Sequence, residues 1–279
     1  MFFSTFVNET KNACQPVRNT LQISLLVFVL VLTSCSMKST LSSDDDDTKV
    51  EIRRFDRLEV RYLCSGDFAA LQQMNTDYAG ETRMLIEDVL HLGAVNEPDI
   101  YAKMLNFYQD STLQAIILDA EDRYTNVSDL NKRLTAAFRS LRKMIPEMSV
   151  PKVYAQIGAL NQSIIIGEGT IGISLDKYLG SEYPAYTKYY TEEQRQSMTR
   201  ENIVTDCITF YLFSLFPFTD DTYLTRYEKD IHMAKVHWIA NKVLGHKAFS
   251  GQYIDKVDRY IRRNPDTTAT ELLDFNCSI

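Results

Sequence analysis

The residue with the most specific chemistry in this chain is a cysteine that follows a short apolar run. Leu32-Thr33-Ser34-Cys35 sets two small residues before a thiol. Small residues there suit a signal peptidase, and the thiol can accept a diacylglycerol. The run before it, residues 23–32, spans about 10 residues, roughly 15 Å as a helix, or half a bilayer core. That is too short for a stable transmembrane anchor and right for the apolar centre of an export signal. Lys11 and Arg18 precede it. The expectation is cleavage before Cys35 and lipid on that cysteine, with residues 1–34 as the signal peptide. The alternative is an ordinary cleaved signal with an incidental cysteine. Each buried methylene contributes about 0.8 kcal/mol, so two or three acyl chains hold a soluble body at a membrane.

Other reactive types are scattered. His91, His232, His237 and His246 form no His-Glu-x-x-His, and no Cys-x-x-Cys accompanies them. His232 and His237 lie five apart on an expected helix, so they do not face one ligand. We therefore assign no metal and no cofactor. There is no Gly-x-Ser-x-Gly, and Gly167-Glu168-Gly169 reads as a turn between strands rather than a phosphate loop. Glu192 and Glu193 fall in an expected first helical turn, where acids favour the dipole. Asp206, inside an apolar helix, needs a partner, and an arginine such as Arg195 is the expected one. Tyr183, Tyr186, Tyr189 and Tyr190 cluster around Pro184, either as a partner- or glycan-binding loop or as core packing. Cys207 reads as a small core residue. A Cys64–Cys277 disulfide is an open alternative. No residue is assigned a catalytic role.

The elements that would position these groups follow from periodicity. Residues 50–56 alternate and read as a first strand. Asp67 caps a helix running toward Leu92 with a bend near Gly80. Asn96-Glu97-Pro98 reads as a helix start, with Ile100, Met104, Leu105 and Tyr108 on one stripe. Further helices cover residues 112–124 and 128–145, the second capped by Ser128 and ended by Pro146. Residues 151–158, 163–166 and 170–175 read as strands. The isoleucine run 164–166 implies burial on both faces. Thr191 and Gln194 have capping-box spacing. Residues 200–216 form the most apolar helix, expected in the centre with nearly every side covered. Residues 223–244, closed by Gly245, residues 250–263 and a short helix boxed by Thr268 and Glu271 complete the chain. The fold class is α+β: a mostly helical single domain around a small β-sheet.

Composition bounds the rest. The chain has 279 residues, 45% apolar and 24% charged, which suits one domain with a real core. Its net charge is −7; Lys11 and Arg18 against Glu9 leave −8 on the body. An acidic body disfavours nucleic acid and an electrostatic hold on anionic lipid. Residues 35–49, with Asp44 to Asp47 adjacent, read as a flexible acidic tether. A sharper reading takes those aspartates as a surface-export mark.

Several segments together resemble one family. Val50-Glu51-Ile52-Arg53-Arg54-Phe55-Asp56-Arg57, Pro151-Lys152-Val153-Tyr154 and Gly172-Ile173-Ser174-Leu175-Asp176-Lys177-Tyr178-Leu179-Gly180 carry it. Tyr183, Tyr186, Ser197-Met198 and Glu201-Asn202-Ile203-Val204-Thr205-Asp206 follow in order. The C-terminal part, Gln252-Tyr253-Ile254 to Asn264-Pro265 and Glu271-Leu272-Leu273, fits as well. The chain resembles the gliding-motility lipoprotein B (GldB) family across residues 50–279. The resemblance implies a non-catalytic envelope lipoprotein of the gliding and secretion apparatus, held by lipid at the outer membrane and acting through envelope protein partners. It supplies no catalytic residues. Asp176, Tyr178 and Tyr183 are the candidate partner surface, with Asp176 alternatively bracing the turn at residues 178–180. The layout also faintly resembles a metal-free zinc peptidase, with Glu201, Thr205 and Asp206 where helical histidines would stand. A hydrolase and a glycan-binding lipoprotein are the competing functions.

Overall fold

The computed structural model describes residues 48–218, 224–274, 277 and 279. Cys35, the signal segment and nearly all of the tether lie outside the described residues. The body is α+β, with helices wrapped around one three-stranded sheet.

Residues 48–53 form an extended lead-in. Val50 N–H donates to Thr135 Oγ1 at 3.0 Å, and Ile52 N–H to Asn131 Oδ1 at 3.0 Å. The strand expected at residues 50–56 shrinks to a single bridge, Arg53 to Tyr154. A longer pattern wins: Phe55, Leu58, Tyr62 and Leu63 repeat at helical spacing, and α1 (Phe55–Ser65) buries all four. Gly66 closes α1 in the left-handed conformation.

Asp67 caps α2 (Phe68–Asp77) by accepting from the Ala69 and Ala70 amides. The chain breaks at Tyr78 and resumes as α3 (Ala79–Met84), which widens into a π-helical turn, Leu85–Val89. α4 (Ile100–Phe107) starts later than Asn96, because residues 95–99 form turns. Its stripe is as expected, with Ile100, Met104 and Tyr108 fully buried. α5 (Ser111–Arg123) is capped by Asp110. α6 (Ser128–Met144) starts at Ser128, but its leading amide is held by Asn126 Oδ1 rather than capped by the serine.

The strands are β1 (Lys152–Gln156), β2 (Ile164–Gly167) and β3 (Thr170–Ser174). β2 and β3 form a hairpin whose turn uses Gly169 at φ +64°. β3 then inserts between its predecessors, parallel to β1, giving the order β1-β3-β2. The segment leaving β1 must therefore cross the C-terminal end of β3 to reach β2.

After two short helices, α7 (Tyr186–Tyr189) and α8 (Glu192–Gln196), comes the apolar α9 (Ile203–Leu215). α9 packs on α6, β2, β3 and the long α10 (Arg226–Leu244). It is less enclosed than its sequence suggests: Phe210 and Leu215 are exposed. α11 (Gln252–Arg263) and α12 (Ala269–Leu273) close the body. Among the described residues no helix is long and apolar enough to cross a membrane.

Gly172 sits opposite Tyr154 in the parallel register. A Cβ there would stand 2.6 Å from the Tyr154 ring, which is packed on Phe55. Gly172→Ala should therefore destabilise the fold by about 1–3 kcal/mol in chemical denaturation. An unchanged midpoint would show that the ring moves aside freely.

Candidate functional site

The crossing segment, residues 157–162, is where the body departs most from regular backbone. Ala159 and Leu160 are consecutive left-handed non-glycine residues, at φ +50° and +63°. Each costs roughly 1–2 kcal/mol against the right-handed well. Gly158 is required by close approach, since a Cβ would meet Ser174 Oγ at 2.6 Å.

The segment is gripped from several sides. Ile157 N–H donates to Glu59 Oε2 on α1 at 2.9 Å, and its carbonyl accepts from Tyr108 OH at 2.7 Å. Asp176 takes two amides, Gly158 at 2.8 Å and Leu160 at 2.6 Å. The Leu160 carbonyl accepts from Tyr190 OH at 2.6 Å and Lys177 Nζ at 3.2 Å. Glu59, Tyr108, Gln156, Ser174 and Asp176 are all sealed from solvent. The same end of the sheet meets the π-turn. Asn161 Nδ2 donates to the Val89 carbonyl at 3.0 Å, and Gln162 Nε2 to the Asp88 carbonyl at 3.4 Å. His91, two residues on, is left-handed too, at φ +53°. Strained backbone and π-turns concentrate where structure serves function. Here they converge on one face whose outer members, Asp88, His91, Asn161 and Gln162, are exposed.

The electrostatics below this face follow from burial. Burial pushes the Glu59 carboxyl well above its ordinary range, against the pull of the Ile157 amide, and nearby Asp56 and Asp176 add to the rise. Asp176 is raised by burial too, opposed by the Leu160 and Gly158 amides. Asp56 is engaged by Arg54 at 2.6 Å.

The residues singled out from sequence are distributed differently from expectation. Asp176 and Tyr178 are interior, which corrects their reading as a partner surface: the apolar shell that closes over β3 takes them with it. Asp176 is a brace, though for residues 158–160 rather than 178–180. Tyr183 is half-buried and donates to Asp119 Oδ2 at 2.7 Å. Tyr186 OH donates to the Asp176 carbonyl, and Tyr190 is spent on Leu160. Of the tyrosine cluster, Tyr189 stays exposed. Among the described residues no arginine pairs with Asp206; it accepts from Tyr178 OH at 2.7 Å. Arg195 instead holds the Ser181 carbonyl and Glu182.

His232 Nε2 donates to the Phe216 carbonyl at 2.8 Å, whereas His237 stacks on Phe249 at 4.0 Å. The two rings both lie against Phe213 but otherwise engage different groups. Among the described residues no cluster of three or more His, Cys, Asp or Glu side chains is arranged to hold a metal. Cys64 and Cys277 are both free thiols, and Cys207 is buried in the core. Sequence patterning does not single out Glu59, and it reads Tyr108 only as part of an apolar stripe. Glu59 interrupts the apolar stripe of α1 at a core position, and that was the available signal.

The chain matches the model of the gliding motility protein GldB over residues 36–252. It belongs to that family. No curated protein and no solved structure matches it. The matched stretch contains the whole crossing segment together with Glu59, Asp176 and Asp206. It ends at the first residue of α11. The protein is accordingly related to gliding motility.

Two predictions follow from this geometry. Ala159→Gly removes a left-handed penalty and should raise stability by about 0.5–1 kcal/mol, read by chemical denaturation. A loss of stability would mean that the methyl's packing outweighs the backbone cost. Burial raises the Asp206 carboxyl from its ordinary 3.8 to about 6, against the Tyr178 hydrogen bond. The folded protein therefore binds this proton more tightly than the unfolded chain. Its contribution is fully present below the ordinary value and is lost as pH rises toward about 6. Asp206→Asn should flatten that part of the stability–pH curve; an identical curve would refute the assignment.

Proposed function

We propose that the protein is a lipid-anchored component of the cell envelope that acts without catalysis, by presenting its strained face to a protein of the gliding or secretion machinery. Membership in the gliding-motility family carries this reading. Three further observations support it. The family match begins at residue 36, directly after the candidate lipidated cysteine. The apolar run before Cys35 has the length of an export signal, and the acidic stretch after it suits a spacer at the outer membrane. Glu59 and Asp176 are sealed, and Glu59 Oε2 and both Asp176 carboxylate oxygens accept from backbone amides, which suits a role in the fold rather than toward a substrate.

The partner face in this reading comprises Asn161, Gln162, Asp88 and His91, with half-buried Tyr183 a separate contact. Its polar groups are carried on backbone that is already fixed, so docking costs little ordering entropy. Such preorganisation suits recognition of a folded protein surface. The mildly acidic body is not suited to nucleic acid.

Replacing Cys35 with Ser should release the protein from the membrane fraction or stall its processing. Retention and normal processing would overturn the anchoring. A photo-crosslinking residue at Gln162 should capture a gliding or secretion component in living cells, with a control at Lys247 after α10 giving no such product. Equal products from both positions would refute the face assignment.

A further inference from the structure

Two buried oxygens beneath the crossing segment have no hydrogen-bond partner among the described residues: Glu59 Oε1 and Gln156 Oε1. Both side chains are completely sealed. An acceptor left dry is unfavourable, and more so if it is charged. Three neighbouring groups are committed. Glu59 Oε2 holds the Ile157 amide, Gln156 Nε2 donates to Ser174 Oγ at 3.3 Å, and Tyr108 OH is spent on the Ile157 carbonyl.

The position of Glu59 explains why this matters. Along the outer edge of β1, Arg53 N–H donates to the Val153 carbonyl, and Ala155 N–H donates to the Arg53 carbonyl. The next edge amide is Ile157, and the Glu59 carboxyl takes it. The carboxyl thus continues a backbone ladder into the crossing segment. Gln156 is the residue just before that amide. A single added proton would turn one of these two acceptors into a donor.

We propose that Glu59 keeps its proton in the folded protein at neutral pH, and that this carboxyl O–H is the donor Gln156 Oε1 lacks. The seat of residues 157–160 is then a proton-dependent latch. Apart from the Ile157 amide, which favours the anion, the surroundings favour the neutral acid. Asp56 lies on the same helix, held by Arg54 and Arg57. Asp176 faces it from the turn after β3, with Lys177 beyond. Tyr108 follows α4 and Tyr154 lies on β1, both neutral phenols raised by burial. Two carboxylates and no buried cation adjoin Glu59, so ionisation there meets desolvation and like charge together. Losing the proton removes the donor from Gln156 and leaves a dry anion under a backbone already strained at Ala159 and Leu160. Release of residues 157–160 relieves both. The latch stands independently of what docks on the outer face.

A rival arrangement satisfies the same atoms. With the Gln156 amide turned over, Nε2 donates to an ionised Glu59 and Ser174 Oγ donates to Gln156 Oε1. The two differ in proton count, which linkage measures. The folded pKa of Glu59 in the latch lies above its unfolded value, so folding takes up a proton at neutral pH. Relative to Glu59→Gln, the wild-type folding constant should then fall as pH rises above the ordinary glutamate value, approaching tenfold per pH unit while the folded protein holds the proton. Glutamine supplies a permanent N–H donor and keeps the acceptor for Ile157. It should therefore hold the fold at neutral pH, and amide exchange at residues 157–160 should lose its extra pH dependence. A wild-type to variant ratio independent of pH would establish the turned-over amide and overturn the proposal. If Glu59→Gln does not fold, infrared spectroscopy of the wild type decides. Selective carbon-13 labelling of glutamate side chains should shift a protonated-carboxyl carbonyl band at neutral pH, which Asp176 and Asp206 cannot mimic. Absence of a label-sensitive acid band would overturn the proposal.

Discussion

Insertion of β3 between β1 and β2 forces the chain to cross the end of the strand it has yet to make. That crossing sits where a sheet has run out of partners, so its backbone groups need others. Asp176, emerging from the end of β3 directly below, supplies two acceptors to Gly158 and Leu160. Glu59 and Tyr108 reach in from the helices for the two polar groups of Ile157. The topology thus explains why the carboxyl groups of Glu59 and Asp176 lie in a mostly apolar interior, and why these two meet amides rather than arginines.

Those carboxylates do what an ion pair would do less specifically. A buried ion pair in place of these contacts would have to recover the desolvation of two charges. A carboxyl against backbone N–H needs only one group desolvated and fixes a particular loop path. The path is one that Ala159 and Leu160 would not choose alone. Tyr124, Tyr178, Tyr186 and Tyr190 extend the arrangement outward. Each places its ring in the apolar shell and spends its hydroxyl on a carbonyl or on Asp206. The abundance of tyrosine therefore reflects a need for hydroxyls inside the core more than an exposed aromatic platform.

For a member of the gliding-motility family, the result is a body with irregular backbone gathered at one end of a small sheet. The π-turn at Leu85–Val89, left-handed His91 and the crossing segment meet there through Asn161 and Gln162. That end of the sheet is positioned by contacts between residues far apart in the chain.

The residues nearest in sequence were the most legible. Asp67, Thr191 and Thr268 cap helices as their local spacing dictates. Gly245 ends α10, and the hairpin turns at Glu168-Gly169. The Thr225–Glu228 capping box was equally readable and moves the start of α10 to Arg226. These features depend on atoms within four residues of one another, so the order of amino acids determines them. The first strand failed because two periodicities competed over residues 50–63 and the longer one buried more surface. Only the folded chain could decide that Asp176 and Tyr178 face inward, that Asp206 pairs with Tyr178, and that Glu59 meets Ile157 across 98 positions. A carboxylate's partner is whatever the packing of distant elements brings within 3 Å, and no local pattern encodes that.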